Sequence, residues 1–452
     1  MFALKKATEF RWLFFAAAIF LLYNSYRKGI DLSHPVDLAP TWISGRLLVE
    51  GMADHVYGNS AYGQTRDPIW VTLENKEMGG QSAETAFVYL PLYLTAVLPF
   101  ALFTSFKAFS IAFLILNAML LSLFLATIVR PVMGRLGATT GLVILMLLCL
   151  SDSIQECLRL GQNISMLAVL VLPFFRACMR KGRIAPALLM AGMVLIKPWA
   201  PIFLIYPILN GRWKSALWGF LGMVGMIGLN FAILPGPTTD YFRLAGSHSE
   251  ISILTFNNLS VDAFLHKLAL HNWMEYYTRF VPAPHHPDLL SFLVRGIVSA
   301  FILLSAYSSP SGGQRRRASL ALPLLFLNIF WAHYLILLLP LLIFLFFRRP
   351  GSSPAGFLWR ALVLSVLYFD STLIKEVYYL VLLKGVSLAN LRWVLPFYNF
   401  LPGGLILIAI GLLGYGTYKR GLLRSPWSRL VAQTTKFVGE TKRSFRRGTN
   451  DQ

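Results

Sequence analysis

Arg183-Ile184-Ala185-Pro186-Ala187-Leu188-Leu189-Met190-Ala191-Gly192-Met193-Val194-Leu195-Ile196-Lys197-Pro198-Trp199 decides the fold. The run is bracketed by Arg180-Lys181-Gly182-Arg183 before it and by Arg212 and Lys214 after it. Short basic loops between apolar helices stay on the cytoplasmic side of a membrane, so an even number of crossings must separate the two brackets. Only about 25 apolar residues are available, and one full span already takes about 20. Proline removes an interior helical hydrogen bond and pushes the residue before it out of the helical region. The stretch therefore reads as two short helices that meet at Lys197-Pro198, with their tip towards the outer face. Helices too short to cross a bilayer are tolerated where they line a cavity inside the protein.

The same parity argument orders the rest of the chain. Lys5, Lys6 and Arg11 place the start of a first helix, about residues 10–29, in the cytoplasm, and no small-residue cleavage site follows it, so it reads as an uncleaved anchor. Residues 30 to about 86 then lie outside as a long polar loop, the kind of loop that usually carries function. The segment from Tyr89-Leu90-Pro91 to Phe103, broken by Pro91 and Pro99, reads as an interfacial helix on that side. A crossing helix follows at about 106–129, then Arg130 and Arg135 inside, then a pair at about 138–150 and 163–178 whose outer tip is Ser151 to Asn163. After the split hairpin come a helix at about 215–234, a second outer segment at about 235–289, and a helix at 290–308 that ends at Arg315-Arg316-Arg317. The apolar run between Arg317 and Arg348-Arg349 forms a further hairpin with Trp331-Ala332-His333-Tyr334 at its outer tip. Helices at about 357–379 and 398–418 complete about twelve membrane helices, several of them short.

Composition agrees with this reading. Of 452 residues, 56% are hydrophobic and 13% charged, more apolar surface than a soluble domain can hide. The net charge of +21 sits in the short loops and the tail, which points to topology and anionic lipid rather than nucleic acid. The tail from Ser425-Pro426, with Trp427, Leu430, Val431 and Val438 near helical spacing among Arg and Lys, reads as a basic amphipathic helix on the cytoplasmic leaflet. Cys149, Cys157 and Cys178 have no metal or disulfide spacing and read as packing residues. His248, His266, His271, His285 and His286 are likewise too loosely spaced to suggest a metal site.

Four polar residues in apolar surroundings, Asp37, Gln162, Lys197 and His333, are brought to the outer side by the loop charges alone. Asp37, in His34-Pro35-Val36-Asp37-Leu38-Ala39-Pro40, follows the first helix among small and apolar neighbours. Most loop aspartates are turn residues, but a desolvated carboxylate suits a general base towards a sugar hydroxyl. Asp31 and Asp54 compete for that role. Lys197 could simply snorkel to an interface, yet a cation within an apolar hairpin is a functional candidate whose natural partner is a lipid phosphate. In Arg159-Leu160-Gly161-Gln162-Asn163, a glycine turn and a cap explain Gly161 and Asn163 and leave Gln162 as a candidate ligand for a sugar hydroxyl. Asn257-Asn258-Leu259-Ser260 reads first as a turn or helix start. His333 could donate to a phosphate oxygen, or pair with it when protonated. No Walker loop, GxGxxG or HExxH occurs, and the first outer loop has no Asp-X-Asp or Asp-X-Glu pair of the kind a metal-bridged diphosphate donor needs.

Taken in order, Asp37, Gly51 to Val56-Tyr57, Phe87-Val88-Tyr89-Leu90-Pro91, Gly161-Gln162-Asn163, Ile196-Lys197-Pro198, Asn210-Gly211-Arg212-Trp213, Asn257-Asn258-Leu259-Ser260 and Trp331-Ala332-His333-Tyr334 with Leu337-Leu338-Leu339-Pro340 resemble glycosyltransferase family 87, from about residue 30 to 345. The resemblance implies an all-α, polytopic fold of the GT-C type: an integral membrane catalytic domain over 1–424, with outer loops at 30–105 and 235–289, and the tail at 425–452. It implies transfer of mannose or a pentose such as arabinofuranose from a polyprenyl-phosphate donor to a lipid-linked glycan or glycolipid, outside the plasma membrane, with both termini cytoplasmic. The base would fall on Asp37, the donor phosphate on Lys197 and His333, and sugar or acceptor contacts on Tyr89, Gln162 and Asn258, with no cofactor, no metal and no nucleic acid. The pattern departs from the family at Tyr89-Leu90-Pro91, where the family often has Tyr-Pro-Pro, and at Asn257-Asn258-Leu259-Ser260, where it often has Asn-Gln-Ser. Two other classes stay open: a lipid-linked-sugar flippase, which would show paired halves with interrupted helices, and a non-catalytic assembly factor.

Overall fold

The computed structural model describes residues 2–30, 35–59, 66–79, 85–95, 105–180, 184–249, 251–254, 281–284, 289–307, 319–322 and 331–347, with isolated positions between and after them. The helices expected at 357–379 and 398–418, and the amphipathic tail, lie outside these residues.

The chain opens with α1 (Phe2–Arg27), then α2 (Ala39–Val49) and α3 (Pro68–Met78) in the segment between α1 and the next long helix. Next come α4 (Phe106–Leu136), α5 (Ala138–Leu150), α6 (Asp152–Leu160), α7 (Ile164–Met179) and α8 (Ile184–Ile196). A 3-10 turn (Ala200–Leu204) leads into α9 (Ile205–Leu209), and α10 (Trp213–Ile233) and α11 (Pro235–Ser249) follow. A short antiparallel pair follows, β1 (Ile251–Leu254) with β2 (Val281–Pro284), with Ile251 opposite Pro284. α12 (Leu289–Tyr307), a 3-10 segment (Ala332–Leu338) and α13 (Leu339–Phe347) end the described elements.

Among the described residues, α4 and α10 are long and apolar enough to cross a membrane, and α5 with α6 would make a third span if that bent pair is counted as one. Several other apolar helices are shorter: Ile164–Met179, Ile184–Ile196, Ala200–Leu209 and His333–Ile343. The split hairpin forms as its proline requires. α8 stops at Ile196, Lys197 closes its last turn by donating to Met193 O at 2.9 Å, and the chain restarts at Ala200. The tip between α5 and α7 is not a loop but a helix of its own. Ser151 is extended, which turns α6 by 49° from α5. Asp152 stands in its first turn and Arg159 in its last, both favourable to the helix dipole. Its inner face, Ile154, Cys157 and Leu158, joins the core.

Two apolar cores result. The larger gathers residues from α1, α4 to α9 and the 3-10 segment at Ala332–Leu338. In the smaller, Trp42, Ile43 and Leu47 of α2 meet Trp70 and Leu73 of α3, Phe87, Tyr89 and Tyr93, and Phe106 and Phe109 of α4. Of the interfacial helix expected at 89–103, a turn at Tyr93–Thr95 is described. Leu92 N donates to Asn230 Oδ1 at 2.9 Å, tying this segment to the end of α10.

Candidate active site

The turn Val36–Leu38 carries Asp37 into α2 and rests directly on the α6–α7 junction. Asp37 N donates to Leu160 O at 3.1 Å. Gly161 ends α6 in the left-handed region, φ +69°, and a Cβ there would stand 2.7 Å from Leu38 Cβ and 3.3 Å from Pro35 Cβ. Glycine is thus required twice at this position, for its backbone angle and for the close approach of the Asp37 turn.

The next residue, Gln162, is held at its backbone. Its N donates to Cys157 O at 3.0 Å, and its O accepts from Asn117 Nδ2 at 2.9 Å. Asn117 is itself fixed by the Ser165 hydroxyl, which donates to Asn117 Oδ1. From this anchored backbone the side chain reaches both ways. Gln162 Nε2 donates to Asp37 Oδ2 at 2.5 Å, and Gln162 Oε1 accepts from Lys197 Nζ at 3.4 Å. Lys197 Nζ also reaches the Tyr89 hydroxyl at 3.5 Å and lies 4.8 Å from the Tyr89 ring centroid and 5.2 Å from that of Tyr334. Neighbouring Asn163 secures the hairpin break by donating from Nδ2 to Ile196 O at 3.3 Å.

Tyr89 is positioned by the smaller core. Its O accepts from the Tyr57 hydroxyl at 2.5 Å, and its ring packs on Phe87 and Tyr93 with centroids 5.4 and 4.9 Å away. His333 is buried in the 3-10 segment, 4.8 Å and edge-on from Tyr334, and among the described residues neither ring nitrogen has a hydrogen-bond partner. It lies where the charges of Lys197 and Arg159 both act on it. A buried imidazole with two unused nitrogens is costly unless something occupies them, so the position has unspent capacity for an anion or a hydroxyl.

Burial raises the Asp37 carboxyl above its ordinary value of 3.8. The Gln162 hydrogen bond, the charge of Lys197, the Thr85 hydroxyl and the charge of Arg159 all oppose that rise. Burial also pushes the Tyr89 phenol up, so it stays a neutral hydrogen-bonding group. The arrangement can therefore do two things: take a proton at a partly desolvated carboxylate, and hold negative charge between a lysine and an imidazole.

The sequence candidates Asp37, Gln162, Lys197 and Tyr89 are brought into one connected cluster, with His333 beside it. Asn258 is buried and forms a backbone bridge with Trp331, next to the segment that carries His333, while its Oδ1 accepts from Ser260 N at 3.1 Å. That is the turn-forming use of this side chain. Of the competing carboxylates, Asp54 is exposed on the turn Ala53–His55 and faces Gly236, and Asp31 lies outside the described residues. Sequence reasoning gave no role to Thr85, whose hydroxyl donates to Val36 O at 3.2 Å and borders Asp37, nor to the charge of Arg159. A lone threonine in a polar loop carries no signal, but Arg159 stood within the tip motif already singled out.

The model of glycosyltransferase family 87 matches residues 87–328, more than half of the chain. The chain belongs to glycosyltransferase family 87. Searches of curated proteins and of solved structures give no significant match. The matched segment contains Tyr89, Gln162, Lys197 and Asn258 and stops short of both Asp37 and His333. What ties Asp37 to it is the hydrogen bond from Gln162, across 125 positions of sequence.

Proposed function

We propose that this membrane glycosyltransferase moves a sugar, mannose or a pentose such as arabinofuranose, from a polyprenyl-phosphate donor to a lipid-linked glycan or glycolipid at the outer face of the plasma membrane, with inversion. Asp37 accepts the proton of the acceptor hydroxyl. That oxygen bonds to the anomeric carbon from the face opposite the phosphate, and the bond from the anomeric carbon to the phosphate oxygen breaks with its electron pair on the phosphate. Lys197 and His333 stabilise the charge the phosphate gains. Tyr89 contacts the sugar or acceptor beside Lys197, and Asn258 acts near the segment that carries His333. Short apolar helices beside the site suit a prenyl chain, and the basic tail suits anionic lipid of the cytoplasmic leaflet.

The observation that carries this reading is the convergence of Asp37, Gln162 and Lys197 from three separate segments, with an unpartnered His333 next to them. The test is incubation of the purified protein with a panel of polyprenyl-phosphate sugars and lipid-linked glycan acceptors. Equal amounts of free polyprenyl phosphate and extended acceptor, with the opposite anomeric configuration, are expected. Flux of donor across vesicles without covalent transfer would instead mean a flippase.

A further inference from the structure

We infer that Gln162 is the positioning residue of the site: its side-chain amide is a fixed strut between the Asp37 carboxylate and the Lys197 ammonium, not a ligand of the sugar. The inference rests on the reading of Asp37 as the base.

The amide has one orientation that works. Its NH2 group must face the carboxylate and its carbonyl the ammonium, because the reverse sets acceptor against acceptor and donor against donor. Both ends are thereby used, at 2.5 Å and 3.4 Å. The backbone leaves no slack either. Gln162 N and O are both hydrogen-bonded, and Gly161 before it is wedged under Leu38. One N–H and one lone pair of the amide remain, but a sugar hydroxyl that took them would meet an amide whose orientation the two charged groups already fix.

The arrangement has a chemical purpose. A direct ion pair between Asp37 and Lys197 would quench the base and occupy the cation at once. An interposed amide keeps the carboxylate oriented and lets it feel the lysine charge, while the ammonium stays available to an anion. The charged and titratable groups around Asp37 come from four places: Lys197 after α8, Arg159 and Cys157 on α6, Tyr89 before α4 and Tyr334 in the 3-10 segment. Besides them, the Thr85 hydroxyl borders Asp37, and Gln162 donates the short hydrogen bond to the carboxylate.

The decisive variant is Gln162→Glu, which keeps shape but sets a second carboxyl against Asp37. Two carboxyls in contact share a proton, so the Asp37 carboxyl should protonate at a pH higher by about one unit or more. Difference infrared spectroscopy of the full chain in lipid nanodiscs reads this from the carboxylic-acid C=O band, assigned by its loss in Asp37→Asn. The acid limb of the transfer rate should move up by the same amount and kcat at neutral pH should fall about tenfold or more, with KM for the donor within about threefold. Gln162→Ala serves if the glutamate variant does not fold; it removes the donor and should move the band in the same direction by less. An unmoved infrared midpoint in a folded variant overturns the inference, as does a raised donor KM with an unmoved acid limb, which makes Gln162 a sugar ligand. The infrared titration needs no donor, so a wild-type protein that turns over no polyprenyl-phosphate sugar refutes the proposed function while the band still decides on Gln162.

Discussion

Two charged arrangements of the molecule are built in opposite ways. In the Arg66–Glu74 pair, the guanidinium and the carboxylate touch directly, and the Glu74 side chain is 2% exposed. It ties α3 to the residue before its N-cap, and its two charges are spent on one another. In the Asp37–Gln162–Lys197 series, carboxylate and ammonium are joined through an amide. Neither charge is cancelled by contact, and an imidazole with two unused nitrogens lies close by. Opposite charges in direct contact hold a fold together; opposite charges held apart at a cost keep reactivity available.

Asp37→Asn should break this contrast most severely. Loss of a general base costs about 10² to 10⁴ in kcat, with little change in KM for the donor. The same substitution should raise the melting temperature at neutral pH. Burial raises the Asp37 carboxyl, so the folded state disfavours its ionised form. That penalty is full when the pH is above the folded-state value, shrinks below it, and vanishes below the ordinary value of 3.8, where the carboxyl is protonated in both states. The stability gain of the asparagine variant should therefore shrink as the pH falls, and differential scanning calorimetry across pH checks it. In the parent enzyme, the acid limb of the rate should lie above the ordinary carboxylate value of 3.8. A variant with near-normal turnover would remove Asp37 from the mechanism.

Lys197→Met comes next. If the ammonium meets the donor phosphate, its loss removes a charge-assisted hydrogen bond, and donor KM should rise about 10- to 100-fold. The acid limb should also move up, because a positive charge that held Asp37 down is gone. An unchanged donor affinity, measured by binding of the lipid-linked sugar, would sink the phosphate role.

How much of this was legible in the sequence follows from the range of each interaction. The break at Lys197-Pro198 was readable because proline acts on its own backbone and on the residue before it. Asp37, Gln162 and Lys197 do meet, as an expectation built on loop charge has them meet. The helix α6 was missed: its polar and charged residues read as a hairpin tip, and the apolar residues it buries are only Ile154, Cys157 and Leu158, beside buried Ser153, Gln155 and Glu156. The joint role of Gln162 was missed because its partners stand 125 and 35 positions away, and no local pattern records which carboxylate or cation an amide will meet. Gly161 was read correctly as a turn, but its second constraint, the Leu38 side chain beneath it, is purely tertiary.

Glu74→Ala probes the other half of the comparison and should act on stability alone. Removing one partner of a buried ion pair costs about 3 to 5 kcal/mol, and since the Arg66 side chain keeps 28% exposure and can be rehydrated, about 2 kcal/mol is expected here. The measurement is denaturant or thermal unfolding, with kcat per folded molecule retained within about twofold. A large loss of kcat in a folded protein would erase the distinction between a structural and a reactive arrangement.

The smallest effect should come from Asp54→Asn, and it sharpens the choice of base. Asp54 and Asp37 flank the same helix, α2. It is exposed on the turn Ala53–His55, and its Oδ1 faces Gly236 at the start of α11. An exposed carboxylate on a short turn is solvated, and its substitution typically changes stability by less than about 0.5 kcal/mol. Transfer rate, donor KM and the acid limb should all match the parent within error. If Asp54→Asn abolished transfer while Asp37→Asn did not, the base would belong to the α2–α3 connection, and the strut at Gln162 would be holding a carboxylate with no proton to take.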